Sequence, residues 1–160
     1  RAMTTGADEI VDRFLMIVEK DSTLNTIYNT SGSTILTNYV EAWLLKAIDD
    51  FARVSTEDLT YTQGSGSAVG FFTATLTERA KNILSTIVQK YWLQQHVNNA
   101  NAFGRFFRDK EFSMTAPMLP ALREYLIVVT ESVDKLLSDY AWDNGVNWDN
   151  WFNQNYYSSS

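Results

Sequence analysis

One stretch with helical spacing of apolar residues, residues 75–93, constrains the fold of this chain most strongly. Thr75 and Glu78 stand three residues apart in the order of a capping box, so we expect a helix to begin there. The apolar side chains that follow recur three or four positions apart and share one helix face: Ala80, Ile83, Leu84, Ile87, Val88 and Tyr91. Such a face predicts a buried core helix and identifies no chemistry by itself.

Two further helices are predicted before this stretch. Thr5 and Asp8 are candidate caps of the first helix, which we expect to end near Lys20. The apolar face predicted for this helix is Ile10, Val11, Phe14, Leu15 and Val18. The second helix is predicted over residues 34–51, which hold the longest apolar stripe in the chain. Residues 21–33 are rich in Ser, Thr and Asn, and we interpret them as a connection that contains a short turn.

Beyond residue 93 the helical pattern is interrupted once and then resumes. We expect the central helix to end at Gly104, because glycine weakens a helix interior. Pro117 and Pro120 mark the beginning of a last long helix, and Gly145 is its predicted stop. The apolar face predicted for this helix is Leu122, Tyr125, Leu126, Val129, Val133, Leu136, Leu137 and Tyr140.

The spacing of apolar residues changes over residues 55–74, which predict two short extended pieces joined by a loop, as in a β-hairpin. The loop contains Gly64, Gly66 and Gly70 and is followed by Phe71. A phosphate-binding loop would need a Lys after its glycines, and none follows here. We therefore interpret these four residues as a flexible loop that becomes ordered on assembly.

Together these patterns predict a mainly α fold, a bundle of about four long helices with a short β-hairpin or extended loop and an extended C-terminal tail. We expect one helical domain over residues 1–143 and a docking tail over residues 144–160. The 160 residues are enough to bury roughly two-thirds of the unfolded surface. The chain has no cysteine, which excludes disulfides. No apolar run approaches the roughly 20 residues that span a bilayer, so no membrane partner is expected.

The tail concentrates aromatic residues beyond the last predicted helix. We interpret them as candidate docking residues for a protein partner, because Trp and Tyr bury large areas at small entropic cost; they are Trp148, Trp151, Phe152, Tyr156 and Tyr157. Two other interpretations stay open at this point. The tail could fold back over its own bundle, or its aromatic and Asn side chains could stack on sugars.

Charge and composition argue against two classes of function. The chain has 13 basic and 19 acidic residues, and its net charge of −6 argues against binding nucleic acid through phosphate contacts. Arg105 and Arg108 do lie among phenylalanines, a pattern typical of single-strand binders. His96 is the only histidine, which excludes a multi-histidine metal site and weakens any acid-base role. We therefore expect a non-enzymatic protein with no cofactor.

Several short runs of residues, taken in order, resemble the neck proteins of tailed bacteriophages, which are small head-tail connector or head-completion adaptor proteins. The similarity extends from Ile35 to Asn153 and is a pattern of elements without catalytic residues. Its runs are AIDDF (47–51), DLTYT (58–62), Phe72, LTER (76–79), IL (83–84), YWL (91–93), DKEFS (109–113) and WDNWFN (148–153).

This resemblance implies a helical bundle that joins a ring of about twelve copies beneath the portal. Such a ring extends the DNA channel, and double-stranded DNA passes through it without specific binding. The implied partners are further copies of the chain, the portal protein and the next neck or tail protein, with the terminal segment docking on the portal or on a neighbouring subunit. The implied location is the neck of the virion, after assembly in the host cytoplasm. A stand-alone helical adaptor or regulator that binds one protein partner is the alternative.

Overall fold

The computed structural model of the protein describes residues 4–18, 22–106 and 118–144. Within these ranges the chain forms five helices and three two-residue strands, so the predicted mainly α class is confirmed. In chain order the elements are β1 (Thr5–Gly6), α1 (Ala7–Ile17), α2 (Ser22–Ser31), α3 (Ser33–Ala52), β2 (Tyr61–Thr62), β3 (Phe71–Phe72), α4 (Glu78–Phe106) and α5 (Met118–Asp143).

The central element is α4, which packs against α1, α3 and α5. Its predicted core face is buried, with Ile83, Leu84 and Ile87 each at most 1% exposed. The helix continues through Gly104 to Phe106, so the prediction that Gly104 interrupts it is wrong. One interior glycine costs a helix about 1 kcal/mol, and the remaining residues of this 29-residue helix outweigh that cost.

The first helix, α1, lies against the beginning of α4 through apolar and charged contacts. Its buried residues include Ile10, Val11 and Phe14, as the spacing predicted. Lys81 of α4 is nearly buried, and its Nζ lies 2.6 Å from a carboxylate oxygen of Glu9. A cation taken out of water needs such a partner, so this contact fixes how the two helices meet.

The beginning of α1 differs from the predicted one. The N-cap is Gly6, whereas Thr5 lies in β1 and Asp8 lies inside the helix. Glu9 Oε1 accepts a hydrogen bond from Gly6 N at 3.4 Å. Thr5 is drawn into the sheet, and its hydroxyl accepts a hydrogen bond from Leu76 N at 2.9 Å. Tertiary contacts therefore decide where this helix begins.

Residues 22–31 form the helix α2, so the prediction of a connection with a short turn is wrong. Local preference for turns is outweighed here by packing, since Leu24 is only 3% exposed within the core. Gly32 follows with a φ of +85°, a conformation that glycine adopts readily. It separates α2 from α3, and α3 then covers the predicted second helix to within one residue at each end.

The three strands form a small sheet in the order β1, β3, β2. The pairing of β2 with β3 confirms the predicted hairpin, and Tyr61 lies opposite Phe72. The sequence did not predict β1, which pairs with the other edge of β3 and places Thr5 opposite the same Phe72. Ala7 N donates a hydrogen bond to Gly70 O at 2.8 Å, so the sheet connects the beginning of α1 to the end of the hairpin loop.

The last helix, α5, packs principally on α4. Val129, Val133 and Tyr140 are buried at helical spacing, which confirms the predicted face, and Gln89 Nε2 of α4 donates to Tyr125 Oη at 2.7 Å. In the part of the chain that the structure describes, no helix combines the length and apolar character of a membrane span. Gly145, the predicted stop of α5, lies outside the described residues.

Candidate functional site: the hairpin loop and the cleft between α3 and α4

The predicted assembly loop lies between β2 and β3, and we call residues 63–70 the hairpin loop. Its tip is a tight turn in which Ser65 N donates to Ala68 O at 2.9 Å and Ala68 N donates to Ser65 O at 2.5 Å. Both ends of the loop are held by the bundle. The sequence predicts a flexible loop that becomes ordered on assembly; in the structure the two ends of the loop make hydrogen bonds with α1 and α3.

The residue that holds the hairpin loop is Glu41 of α3. Its side chain is buried, and Oε1 accepts one hydrogen bond from Tyr61 Oη and another from Gly64 N, both at 2.7 Å. Burial raises the pKa of the Tyr61 phenol, and the hydrogen bond to Glu41 raises it further. Tyr61 therefore stays protonated and continues to donate.

The three loop glycines have different surroundings. A Cβ atom added at Gly70 would lie 2.1 Å from Tyr61 Oη, and one added at Gly64 would lie 2.4 Å from Asn38 Oδ1. A Cβ added at Gly66 would meet nothing within 4 Å. Gly64 and Gly70 are thus required by close packing against α3 and β2, whereas Gly66 lies at the open tip.

The two adjacent phenylalanines of β3 point to opposite sides of the sheet, as successive strand residues do. Phe72 is fully buried and its ring lies 4.9 Å from that of Tyr61. Phe71, which we predicted as part of the assembly loop, is 39% exposed. The sheet therefore presents one aromatic side chain at the surface next to the hairpin loop.

A second glutamate, Glu57, organises the beginning of α4. Its two carboxylate oxygens accept hydrogen bonds from Thr77 N at 2.9 Å and from Thr77 Oγ1 at 3.0 Å. Tyr140 Oη of α5 donates to the same carboxylate at 3.2 Å. Glu57 thus joins the beginning of the segment between α3 and α4 to the end of that segment at Thr77 and to α5.

The cap of α4 is Thr77, and the prediction of a cap at Thr75 is corrected accordingly. The hydroxyl of Thr77 accepts a hydrogen bond from Ala80 N at 3.2 Å, and Lys81 N donates to Thr77 O at 3.0 Å. The predicted capping partner, Glu78, is instead the first helical residue and accepts hydrogen bonds from Arg13 and Lys81. The contact with Glu57 selects this helix start over the local sequence pattern.

A cleft between α3 and α4 is the second candidate site, and we call it the α3–α4 cleft. It combines a cavity of about 90 Å³ with an adjoining open depression of about 600 Å³. The cavity is lined by Leu24, Tyr39, Trp43, Trp92, Gln95, His96 and Asn99. The depression is lined by Trp43, Lys46, Tyr91, Gln94, Gln95, Asn98 and Asn99.

The floor of the α3–α4 cleft is rigid. Trp43 is 8% exposed, and its Nε1 donates to Gln95 Oε1 at 3.0 Å. The phenol of Tyr91 donates to Asp50, and burial together with this bond raises the pKa of Tyr91 to about 12. Amide side chains form the exposed rim beside Lys46, and none of the described residues that line the cleft is acidic.

His96, the candidate for acid-base chemistry, lies at the α3–α4 cleft with its ring centroid 4.6 Å from that of Trp92. Among the described residues, no three His, Cys, Asp or Glu side chains come close enough together to hold a metal ion. The cleft therefore offers aromatic surface, amide donors and acceptors, and one exposed cation. Those groups suit recognition of a polar and aromatic partner.

Several predicted site residues fall outside the described part of the chain. They are the tail residues Trp148, Trp151, Phe152, Tyr156 and Tyr157, together with Arg108, while only the helical backbone of Arg105 is described. Sequence reasoning missed Glu41, Glu57 and the cleft. One signal was available for Glu41, a carboxylate next to Val40 within an otherwise apolar stripe.

Searches against protein-family models, curated proteins and solved structures found no match to this chain.

Proposed function

We propose that this protein is a structural assembly subunit of the head-tail connector type found in tailed bacteriophages. In this role, copies of the chain form a ring under the portal, extend the DNA channel and join the head to the tail. The ring resides in the virion neck, having assembled in the host cytoplasm. The proposal assigns the chain no reaction and no cofactor.

The observation that carries the proposal is a set of three exposed apolar side chains on α5, the adjacent Ile127 and Val128 and, about 21 Å further along the helix, Trp142. Trp142 is 69% exposed, Ile127 is 57% exposed and Val128 is 56% exposed. At 100° per residue, all three lie on the side of α5 that points away from Val129 and Val133, the residues that pack on α4. Large apolar side chains on an outward face, Trp above all, are typical of protein contacts.

The net charge of −6 also supports the proposal. DNA that moves through a ring must not be held by phosphate contacts, and an acidic lining disfavours such contacts.

The sequence of the DNA that flanks the gene tests the proposal directly. Portal, terminase and major-capsid genes on one side, with tail genes on the other, would support it. Ordinary cellular genes on both sides, without remnants of a prophage, would refute it.

A stand-alone adaptor that binds one protein partner is the second candidate, and the α3–α4 cleft favours it. The α3–α4 cleft suits one bound segment. Native mass spectrometry of the chain produced together with its neighbouring gene products separates the two functions, since a connector forms a complex of many copies and an adaptor forms a complex of one or two.

A further inference from the structure

We infer that the α3–α4 cleft receives the aromatic tail, residues 145–160, of a second copy of this chain. The inference rests on the proposed function only in requiring that copies associate with one another. It adds the identity of the receiving site, which is formed by α3 and α4 and lies away from the hairpin loop and from the outward face of α5.

The chemistry of the cleft matches that of the tail. The cleft has an aromatic floor, of which Trp43 is the most buried member, and an amide rim that includes Gln94 and Asn98. The tail alternates Trp, Phe and Tyr with Asn and Gln. Aromatic anchors seated on a buried floor, with amide hydrogen bonds at the rim, are the usual anatomy of a protein contact.

Charge agrees with this pairing. Asp149 is the only charged side chain in residues 145–160. Lys46 is the only charged residue among those described as lining the cleft, and its Nζ lies 5.4 Å from the centre of the Tyr91 ring. A tail with one carboxylate is thus complementary to a rim with one ammonium group.

Chain length favours a second copy over the same chain. The end of α5 is held at the beginning of α4, where Asp143 Oδ2 lies 2.6 Å from Arg79 Nη1. At 1.5 Å per residue, the cleft residues Tyr91 and Asn99 lie about 18 and 30 Å further along α4. Trp148 follows Asp143 by five residues and reaches at most about 17 Å even when fully extended. Within one chain, Trp148 would therefore reach no further than the near edge of the cleft at Tyr91, whereas the tail of another chain can place all of its aromatic anchors along the cleft.

Photocrosslinking of the full-length chain tests the inference. Trp151 is replaced by p-benzoylphenylalanine, isotopically light and heavy chains are mixed, and the crosslinked peptides are identified by mass spectrometry. We expect crosslinks between light and heavy chains, at the peptides that contain Trp43, Lys46 or the α4 residues of the cleft. Crosslinks at other places, or only within one chain, would overturn the inference.

A matched pair of variants adds a second readout. Asn99→Trp fills the cleft and should lower the yield of light-heavy crosslinks by about tenfold or more, whereas Asn29→Trp makes the same change at an exposed position of α2 that does not line the cleft and should leave the yield unchanged. Lys46→Glu, with Arg53→Glu at an exposed position outside the cleft lining as its control, repeats the comparison should Asn99→Trp fail to fold. Equal yields within a pair would also overturn the inference. The genes that flank this one test the proposed function independently of the crosslinks. Phage structural genes in that position, together with no crosslinks at the cleft, would refute the receiving site while still supporting the proposed function.

Discussion

Replacing Gly70 by Ala should destabilise the fold, because the added methyl group enters space that two side chains already fill. An ideal Cβ at Gly70 would lie 2.1 Å from Tyr61 Oη and 2.6 Å from Glu41 Oε1. The backbone has little freedom to retreat, since Gly70 is buried and its carbonyl oxygen accepts the hydrogen bond from Ala7 N. The clash must therefore be relieved by moving Tyr61 or Glu41.

The expected loss follows from those two contacts. Overpacking a buried site costs about 1–3 kcal/mol. Moving Tyr61 away from Glu41 also weakens a hydrogen bond to a charged group, and such bonds contribute about 1.5–3 kcal/mol. The two effects share atoms and are not additive. We expect Gly70→Ala to lower the free energy of unfolding by about 2–4 kcal/mol.

Gly66→Ala is the matched control, because its Cβ would meet nothing within 4 Å. The same chemical change in the same loop should alter the free energy of unfolding by less than about 0.5 kcal/mol. Urea unfolding followed by circular dichroism measures both variants, and the slope of free energy against urea should stay the same. Equal losses in the two variants, or a loss below about 0.5 kcal/mol for Gly70→Ala, would refute the steric argument.

Three further predictions concern the cap of α4, a buried phenol and the tail. Thr77→Ala should lower the free energy of unfolding by about 1 kcal/mol, because the helix cap is lost. Thr77→Ser keeps a hydroxyl at the cap and should lose much less of that free energy in urea unfolding. Equal losses in the two variants would contradict the assigned cap. Stability should decline as the pH rises from 10 towards 12, because the folded pKa of Tyr91 is raised from 10.0 to about 12 and that of Tyr61 is raised as well, so the unfolded chain loses these protons first. Tyr91→Phe should flatten that decline in thermal melts, and an unchanged slope would argue against the Tyr91 assignment. A chain that ends at Asn144 should keep its helical circular dichroism, because the last turn of α5 is completed by the hydrogen bond from Asn144 N to Tyr140 O. The same chain should no longer self-associate in sedimentation velocity. Loss of the helical signal would show that the tail belongs to the core.

The long helices could be predicted from the sequence because their apolar spacing and their burial agree. Residues such as Val40 in α3, Ile87 in α4 and Val133 in α5 lie on predicted faces and are at most 1% exposed. Where the pattern is strong, packing only reinforces the local preference.

Helix ends and weakly patterned segments could not be predicted in the same way. The helix α2 is polar apart from Leu24, Ile27 and Tyr28 and forms because Leu24 enters the core, a contact that no local pattern reveals. The cap of α4 is Thr77 and not the predicted Thr75, because the carboxylate of Glu57, twenty residues earlier in the chain, accepts a hydrogen bond from Thr77 N. Both outcomes depend on contacts that are distant in sequence.

The candidate site was predicted only in its outline. Gly64, Gly70 and Phe71 do mark a distinct surface feature, yet the glycines are needed for close packing and not for flexibility. The α3–α4 cleft could not be predicted, because Trp43 and Gln95 lie 52 residues apart and each fits an ordinary helix pattern by itself.

Glu41 and Glu57 have equivalent roles in holding the segment between α3 and α4. Each carboxylate accepts a backbone N–H, from Gly64 or Thr77, together with a tyrosine hydroxyl. A segment fixed in this way before association loses little conformational entropy when it binds, so its surface is preorganised for contact. In the proposed assembly, the hairpin loop would therefore act through a conformation that these two carboxylates help to set. It follows that a variant with a loosened loop, such as Gly70→Ala, should associate more weakly even under conditions in which it remains folded.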